Sequence, residues 1–340
     1  MKTLVACAFL VLPAALGSAA QEPALEAPKK SSGNEPMAGA MSLSRSAEFL
    51  DAVNLHWTRT KKCGTCHTNF PYLMARPAMK ELPSPALEEI RGFFDKRVAG
   101  WEATKPKLDT EVVATAASLA INDAHSGGRL HPATRTALDR MWSLQQANGA
   151  WNWAKCEWPP FEHDDYYGAV FAAVGVGSAP DGYAAGESAK AGLARLKEYL
   201  QKTPPPTLHH KGWLLWASVR LDGLMTPEER SGAVKELLAL QKADGGWSLP
   251  SLGDWKGHDT DHVIDKNAPS DGYGTGFTVY VLRQAKLPAD HEAVRRGLAW
   301  LRANQRESGR WFTRSLNNEK THYITNAGTA FAVLALKSCE

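Results

Sequence analysis

Strand signals are what this sequence has least of: almost no stretch shows the alternation and the β-branched enrichment of a half-buried strand, so the chain reads as all-α. Long apolar runs are missing too. After the first 20 residues nothing approaches the roughly 18 uninterrupted apolar residues of a membrane helix, so no membrane span is expected. Charge of one sign is also lacking, with 39 Lys and Arg against 36 Asp and Glu, and nothing in that balance suits nucleic acid. Cysteine is scarce, at five.

Two of those cysteines stand in Lys62-Cys63-Gly64-Thr65-Cys66-His67, a C-x-x-C-H. Cysteines at this spacing can add as thioethers to the two vinyl groups of one porphyrin, and the adjacent histidine can reach its iron from one face. A zinc site would want a second Cys/His pair at similar spacing, and a redox dithiol a βαβ context; neither is present. We therefore expect one covalent haem c on Cys63 and Cys66, with His67 as the proximal iron ligand.

Haem c is attached outside the cytoplasm, and the N-terminus reads accordingly. Met1-Lys2, an apolar run from Leu4 to Leu16 and the small residues Gly17-Ser18-Ala19-Ala20 form a secretory signal with cleavage before Gln21. Cys7 lies near the start of the apolar run instead of ending it, so it is not read as an acylation site. The expected mature protein is periplasmic or secreted and keeps four cysteines: the haem pair, Cys156 and Cys339.

Residues 21–43 are rich in Ala, Pro, Ser, Gly and Glu without apolar periodicity and read as a flexible linker. From residue 44 to 340 one large domain is expected. Three segments in it share a pattern: Gln145-x3-Gly149-x-Trp151, Gln241-x3-Gly245-Gly246-Trp247 and Gln305-x3-Gly309-x-Trp311; weaker relatives end at Gly100-Trp101 and at Trp57. Each ends an amphipathic run, such as Leu87, Ile90, Phe94 and Val98. Ser84-Pro85 and Thr226-Pro227-Glu228-Glu229 supply helix starts. A second run of small and apolar residues follows each turn: Pro71 to Met79, Glu111 to Ile121, Asp165 to Val176, Lys211 to Leu221, Asp271 to Arg283 and Asn326 to Leu336. The fourth pair, led by Leu193, Leu196 and Leu200, lacks a good Gln-Trp turn. About six helix pairs thus recur at roughly 45–60 residues.

These turns resemble the QW motifs of squalene-hopene cyclases and their relatives, the protein prenyltransferase β subunits among them. The resemblance spans nearly the whole mature chain and implies a single α/α toroid, in which outer helices lead through QW turns into inner helices around a central apolar cavity. The haem segment, residues 62–79, falls at the start of the first inner helix. A separate small cytochrome domain over residues 44 to about 108 would need a downstream methionine ligand, and the candidates there, Met74 and Met79, immediately follow the motif.

The family's chemistry transfers poorly. Cyclases protonate their substrate with D-x-D-D, and the nearest match, Glu162-His163-Asp164-Asp165, begins with Glu. Zinc prenyltransferases use Asp-x-Cys, but after Asp271 the cysteine position holds Tyr273, and Thr325 or Asn326 stands where the later histidine belongs. Cyclase and prenyltransferase activities are disfavoured. The plain reading of Asp165, Asp271 and Asn326 is helix capping. In a toroid, though, all inner-helix starts share one face, so Glu162, His163, Asp164, Asp165, Tyr166, Asp259, Asp261, Asp271, Tyr273, His322 and Tyr323 would ring one mouth. Asp259, Asp261 and Asp265 also suggest calcium, or merely a solvated loop. Cys156 belongs to the mouth and Cys339 to the other end, so no disulfide is expected between them.

The sequence leaves two functions standing. One is a redox-active haem protein holding a hydrophobic or small organic ligand in the central cavity, in which His163, Asp164 and Asp165 are placed for proton transfer; if it is an enzyme, it is a haem-dependent oxidoreductase. The other is a plain periplasmic electron carrier on a toroid scaffold. Either implies a redox partner protein. The leading distal iron ligand is His322, then His163, with His209, His210, His258 and His262 as further loop candidates.

Overall fold

A computed structural model describes residues 27–103, 109–257 and 261–340. Its twelve α-helices are α1 (Leu43–Lys61), α2 (Asn69–Ala75), α3 (Pro85–Ala99), α4 (Asp109–Ser126), α5 (Pro132–Ser143), α6 (Asp165–Ser178), α7 (Glu187–Lys202), α8 (Leu208–Ser218), α9 (Pro227–Ala239), α10 (Gly272–Gln284), α11 (Glu292–Ala303) and α12 (Ile324–Lys337). The even-numbered helices touch in order from α2 to α12, and α12 returns to α2, so they close a ring with the odd-numbered helices outside it. This is the layout of an α/α toroid. Among the described residues no helix is long and apolar enough to cross a membrane.

Burial follows the two kinds of sequence run. The outer helix α3 buries one stripe, Ala86, Ile90, Phe94 and Val98, whereas the inner helix α6 buries every residue from Tyr166 to Val176. A helix apolar all round must sit inside, and one with a single apolar stripe at the rim. Ser84 caps α3, accepting from the Leu87 N–H. Thr226 and Glu229 form a reciprocal capping box on α9.

The three Gln-Trp turns work alike. Each glutamine donates its Nε2–H to a carbonyl in its own turn and to one at the start of the next outer helix: Gln145 to Gly149 O and Gly192 O, Gln241 to Gly245 O and Ala293 O, Gln305 to Gly309 O and Ser42 O. Each tryptophan Nε1–H goes back ten residues to a helix carbonyl: Trp151 to Met141, Trp247 to Leu237 and Trp311 to Leu301, at 2.7–2.8 Å. The glycines hold φ of 93°, 90° and 89°, and a Cβ on Gly309 would meet Arg45 O at 2.2 Å. The last turn ties residue 305 to residue 42 and so helps to seal the ring.

Two sequence readings need correction here. Residues 27–42 are not a loose linker. Ser31 N–H donates to Thr321 O, Ala38 N–H to Gln305 O and Glu307 N–H to Pro36 O, and the buried Arg310 pairs with Glu35 at 2.6 Å. Polar and backbone bonds, which apolar periodicity does not register, dock this stretch on the last Gln-Trp turn. Trp57 ends no turn either; it lies within α1, which runs on to Lys61.

Candidate functional site

The cysteine loop joins α1 to α2 where the first and last helix pairs meet. Lys62 closes α1 in the left-handed region, its N–H returning to Thr58 O. Gly64 is obligatory by contact, since a Cβ there would lie 2.7 Å from the Phe70 ring. The buried Asn69 donates to Asn54 Oδ1 (3.2 Å) and Thr58 Oγ1 (3.1 Å), fixing the loop to α1. Asn326 Nδ2 donates to Thr68 Oγ1 at 3.0 Å, fixing it to α12.

Between these anchors His67 is half-buried in an aromatic slot. Tyr323 stacks on it with ring centroids 5.4 Å apart, and Trp57 meets it edge-on at 5.7 Å. Its Nδ1 lies 3.1 Å from Thr68 Oγ1 and its Nε2 3.2 Å from Thr65 Oγ1. Burial pushes its pKa down to about 4, against a weak opposing pull from Glu319, so at neutral pH the ring is uncharged and keeps a lone pair. The indole Nε1–H of Trp57 is buried with no acceptor.

Cys63 is half-buried and Cys66 buried; all four described cysteines are free thiols. Burial first, then the neighbouring Glu162 carboxylate, push the Cys66 thiol well up, and the same causes raise the exposed Cys156. Burial raises Glu162 in turn, partly offset by those two thiols. The loop before α6 therefore brings Glu162 and Cys156 against Cys66, a contact with a third thiol that the shared mouth alone did not specify. Cys339 follows α12 at its C-terminal end, as the sequence suggested.

The other predicted mouth residues divide. Asp164, not Asp165, caps α6: it accepts from Tyr167 N–H at 2.9 Å and lies 3.1 Å from His210 Nε2. Although burial raises it, His210 and that N–H outweigh burial and leave Asp164 below its ordinary value, an anion and not a proton donor. Asp165 pairs with Lys155 (2.9 Å) and accepts from Trp153 N–H. His163 is half-buried with its Nδ1 unpartnered, and so is the Tyr166 hydroxyl, whose pKa burial raises. Asp271 caps α10. Asn326 lies inside α12 and caps nothing. Asp265 closes a local turn on Asn267 N–H, Asp261 and His262 lie in the same loop, and His258 and Asp259 fall outside the described residues. Among the described residues no group of three or more His, Cys, Asp or Glu is placed to hold a metal ion.

Four placements correct the sequence reading. His209 and His210 are not in a loop but in the first turn of α8, fully buried. Tyr273 is not at the mouth: it is fully buried, its hydroxyl 2.8 Å from His209 Nε2. His322 turns away to Phe312, its Nδ1 accepting from Ser315 N–H, so the residue that α12's loop delivers to His67 is Tyr323. The toroid's centre is filled. Tyr167 packs on Trp213 at 5.6 Å, Trp213 on Phe277 at 5.8 Å and Phe277 on Phe331 at 5.5 Å. Beside Cys66, Phe161 and Phe171 lies a space of about 10 Å³, enough for one water and no ligand. Inner-helix aromatics take up the volume that the resemblance assigned to a cavity.

No known protein family matches the chain. No curated protein matches it either. Among solved structures 35 chains match, including a polysaccharide lyase with a TM-score of 0.49 at 13% identity, over 87% of this chain and 96% of its own. At that level the likeness names no activity for this chain.

Proposed function

We propose that the protein is an exported c-type haem protein that carries electrons, with Cys63 and Cys66 binding one haem covalently and His67 as its proximal axial ligand. The observation that carries this reading is the imidazole of His67, slotted between Tyr323 and Trp57, one residue beyond two free thiols at C-x-x-C spacing. The donor set suits the group: two soft thiols on one loop, a nitrogen lone pair, and the buried Trp57 N–H, which lacks an acceptor that a carboxylate-bearing cofactor would supply. Haem, when bound, contributes a one-electron iron couple.

The chain's own residues do the rest. Asn69 and Asn326 hold the loop against both neighbouring helices, Thr68 and Thr65 fix the imidazole ring, and Trp57 and Tyr323 keep water from its faces. The filled centre favours an electron carrier over a protein that transforms a ligand there. The shared turn geometry supports kinship with QW-repeat proteins, and the leader sequence supports a periplasmic or secreted location with a redox partner protein.

The test is expression in a cell that matures c-type cytochromes, followed by a pyridine haemochrome assay. One haem per chain is expected, lost when Cys63 and Cys66 are both replaced by Ala; parent protein without a c-type band overturns the reading. Carbon monoxide binding by the reduced protein would show an open axial position and argue for catalysis instead.

A further inference from the structure

At the ring end away from the cysteine loop, the C-terminal ends of α4, α8, α10 and α12 and the turn after α2 surround a second pocket. It measures about 290 Å³, and its polar lining is Lys80, His125, Arg220, Tyr280, Gln284 and Lys337, with Ser338 at its edge. Among the described residues no carboxylate lines it. Arg220 and Lys80 thus face one space without a countercharge on its lining, beside an uncharged His125 and an ion-paired Lys337, in a part of the protein that the cysteine site does not use.

Basic residues at helix C-termini usually offset the carbonyl ends of those helices. Arg283 does so here, donating to Ser338 O and Leu287 O, and His125 Nδ1 lies on Met74 O at 2.9 Å. Arg220 does not. It is half-buried, its Nη2 donates to the side-chain Oε1 of Gln284 at 2.7 Å, and its guanidinium lies 5.8 Å from the Trp216 ring centre; among the described residues no carbonyl takes its other N–H groups. Burial lowers its pKa, and Arg220 and Lys80 add to the burial that lowers His125, whose imidazole is therefore uncharged at neutral pH. Lys337 is drawn outward by Glu81 and Glu340, while Lys80 is exposed at the rim.

We propose that this pocket binds a small dissolved oxyanion carrying two negative charges, of the phosphate or dicarboxylate class, with Arg220 as a two-donor clamp and Lys80 as the flanking charge. Gln284 orients the guanidinium from one side and Trp216 from its face, leaving the remaining donors free for paired oxygens, which is how arginine recognises such anions.

Isothermal titration of the purified protein with inorganic phosphate and with succinate, against sodium chloride at equal ionic strength, tests this. Saturable one-to-one binding of at least one dianion, absent with chloride, is expected; Arg220→Gln should weaken it roughly tenfold or more and Lys80→Gln by a smaller factor. Should Arg220→Gln fail to fold by circular dichroism, Lys80→Gln decides alone, because that side chain is exposed. Absence of saturable binding by either anion, an equal response to chloride, or unchanged affinity in the folded variants overturns the proposal.

Discussion

The starts of α2 and α10 hold equivalent places in the ring and are built in opposite ways. Before α10, Asp271 is extended (φ −136°, ψ 169°), and its carboxylate accepts from Gly274 N–H and Leu249 N–H, both at 2.7 Å. Its bonds go to backbone N–H groups and to the Thr313 side chain, and a 13-residue helix follows. Before α2, Thr68 caps nothing: its hydroxyl serves His67 and Asn326 instead, and α2 has seven residues. A helix start that gives up its cap leaves backbone N–H groups for other partners, at a cost of typically about 1 kcal/mol. The contrast separates a scaffold acid from a site residue although both sit at the same register.

The largest effect should come from the cysteine side of this contrast. Cys63→Ala with Cys66→Ala removes all covalent haem in the haemochrome assay, whereas Asp271→Ala should leave haem attachment intact. If Asp271→Ala also abolished attachment, the two starts would not be independent. Asp271→Ala should instead cost about 2–4 kcal/mol in urea unfolding, since two buried N–H groups lose their acceptor.

Asp271 also makes a pH prediction. Burial, only partly offset by its N–H donors, raises its pKa to about 7 from an ordinary value near 4. The folded state therefore binds a proton that the unfolded chain has released, so this contribution is complete below about pH 4 and is lost as pH rises through about 7. Unfolding measured from pH 4 to 8 should show that decline in the parent, and Asp271→Asn should flatten it; a variant with an undiminished slope would assign the titration elsewhere.

Gln305→Ala should cost less, about 1–3 kcal/mol, by releasing the carbonyls of Ser42 and Gly309 where the ring closes. Thr68→Val should have the smallest effect on stability, about 1 kcal/mol, because it removes a hydroxyl that caps no helix; its mark should be a changed haem spectrum. A Thr68→Val protein as unstable as Asp271→Ala would erase the distinction between the two starts.

Much of this was legible in the residues. The inner runs beginning at Asp165, Asp271 and Asn326 match α6, α10 and α12 to within two residues, because the small and apolar residues that define them are contiguous in sequence, with an acidic cap beside the first two. The capping reading of Asp271 held, while in the Asp164-Asp165 pair the cap is the first residue, a one-position shift that composition cannot resolve. Trp57 looked like a failed turn because its neighbours in sequence say nothing of Tyr323, which packs on it at 5.7 Å from the other end of the chain.

The helix pairs, the three Gln-Trp turns and the thiol–thiol–imidazole order of the cysteine loop were legible in the sequence, since each shows as a residue pattern over a short stretch of chain. Only the tertiary structure decided that Cys156 and Glu162 stand beside Cys66, that Tyr323 and not His322 faces His67, and that aromatic rings fill the centre. Those outcomes depend on which inner helices become neighbours when the ring closes and on how side-chain volumes divide the enclosed space, and neither quantity is carried by any local stretch of the chain.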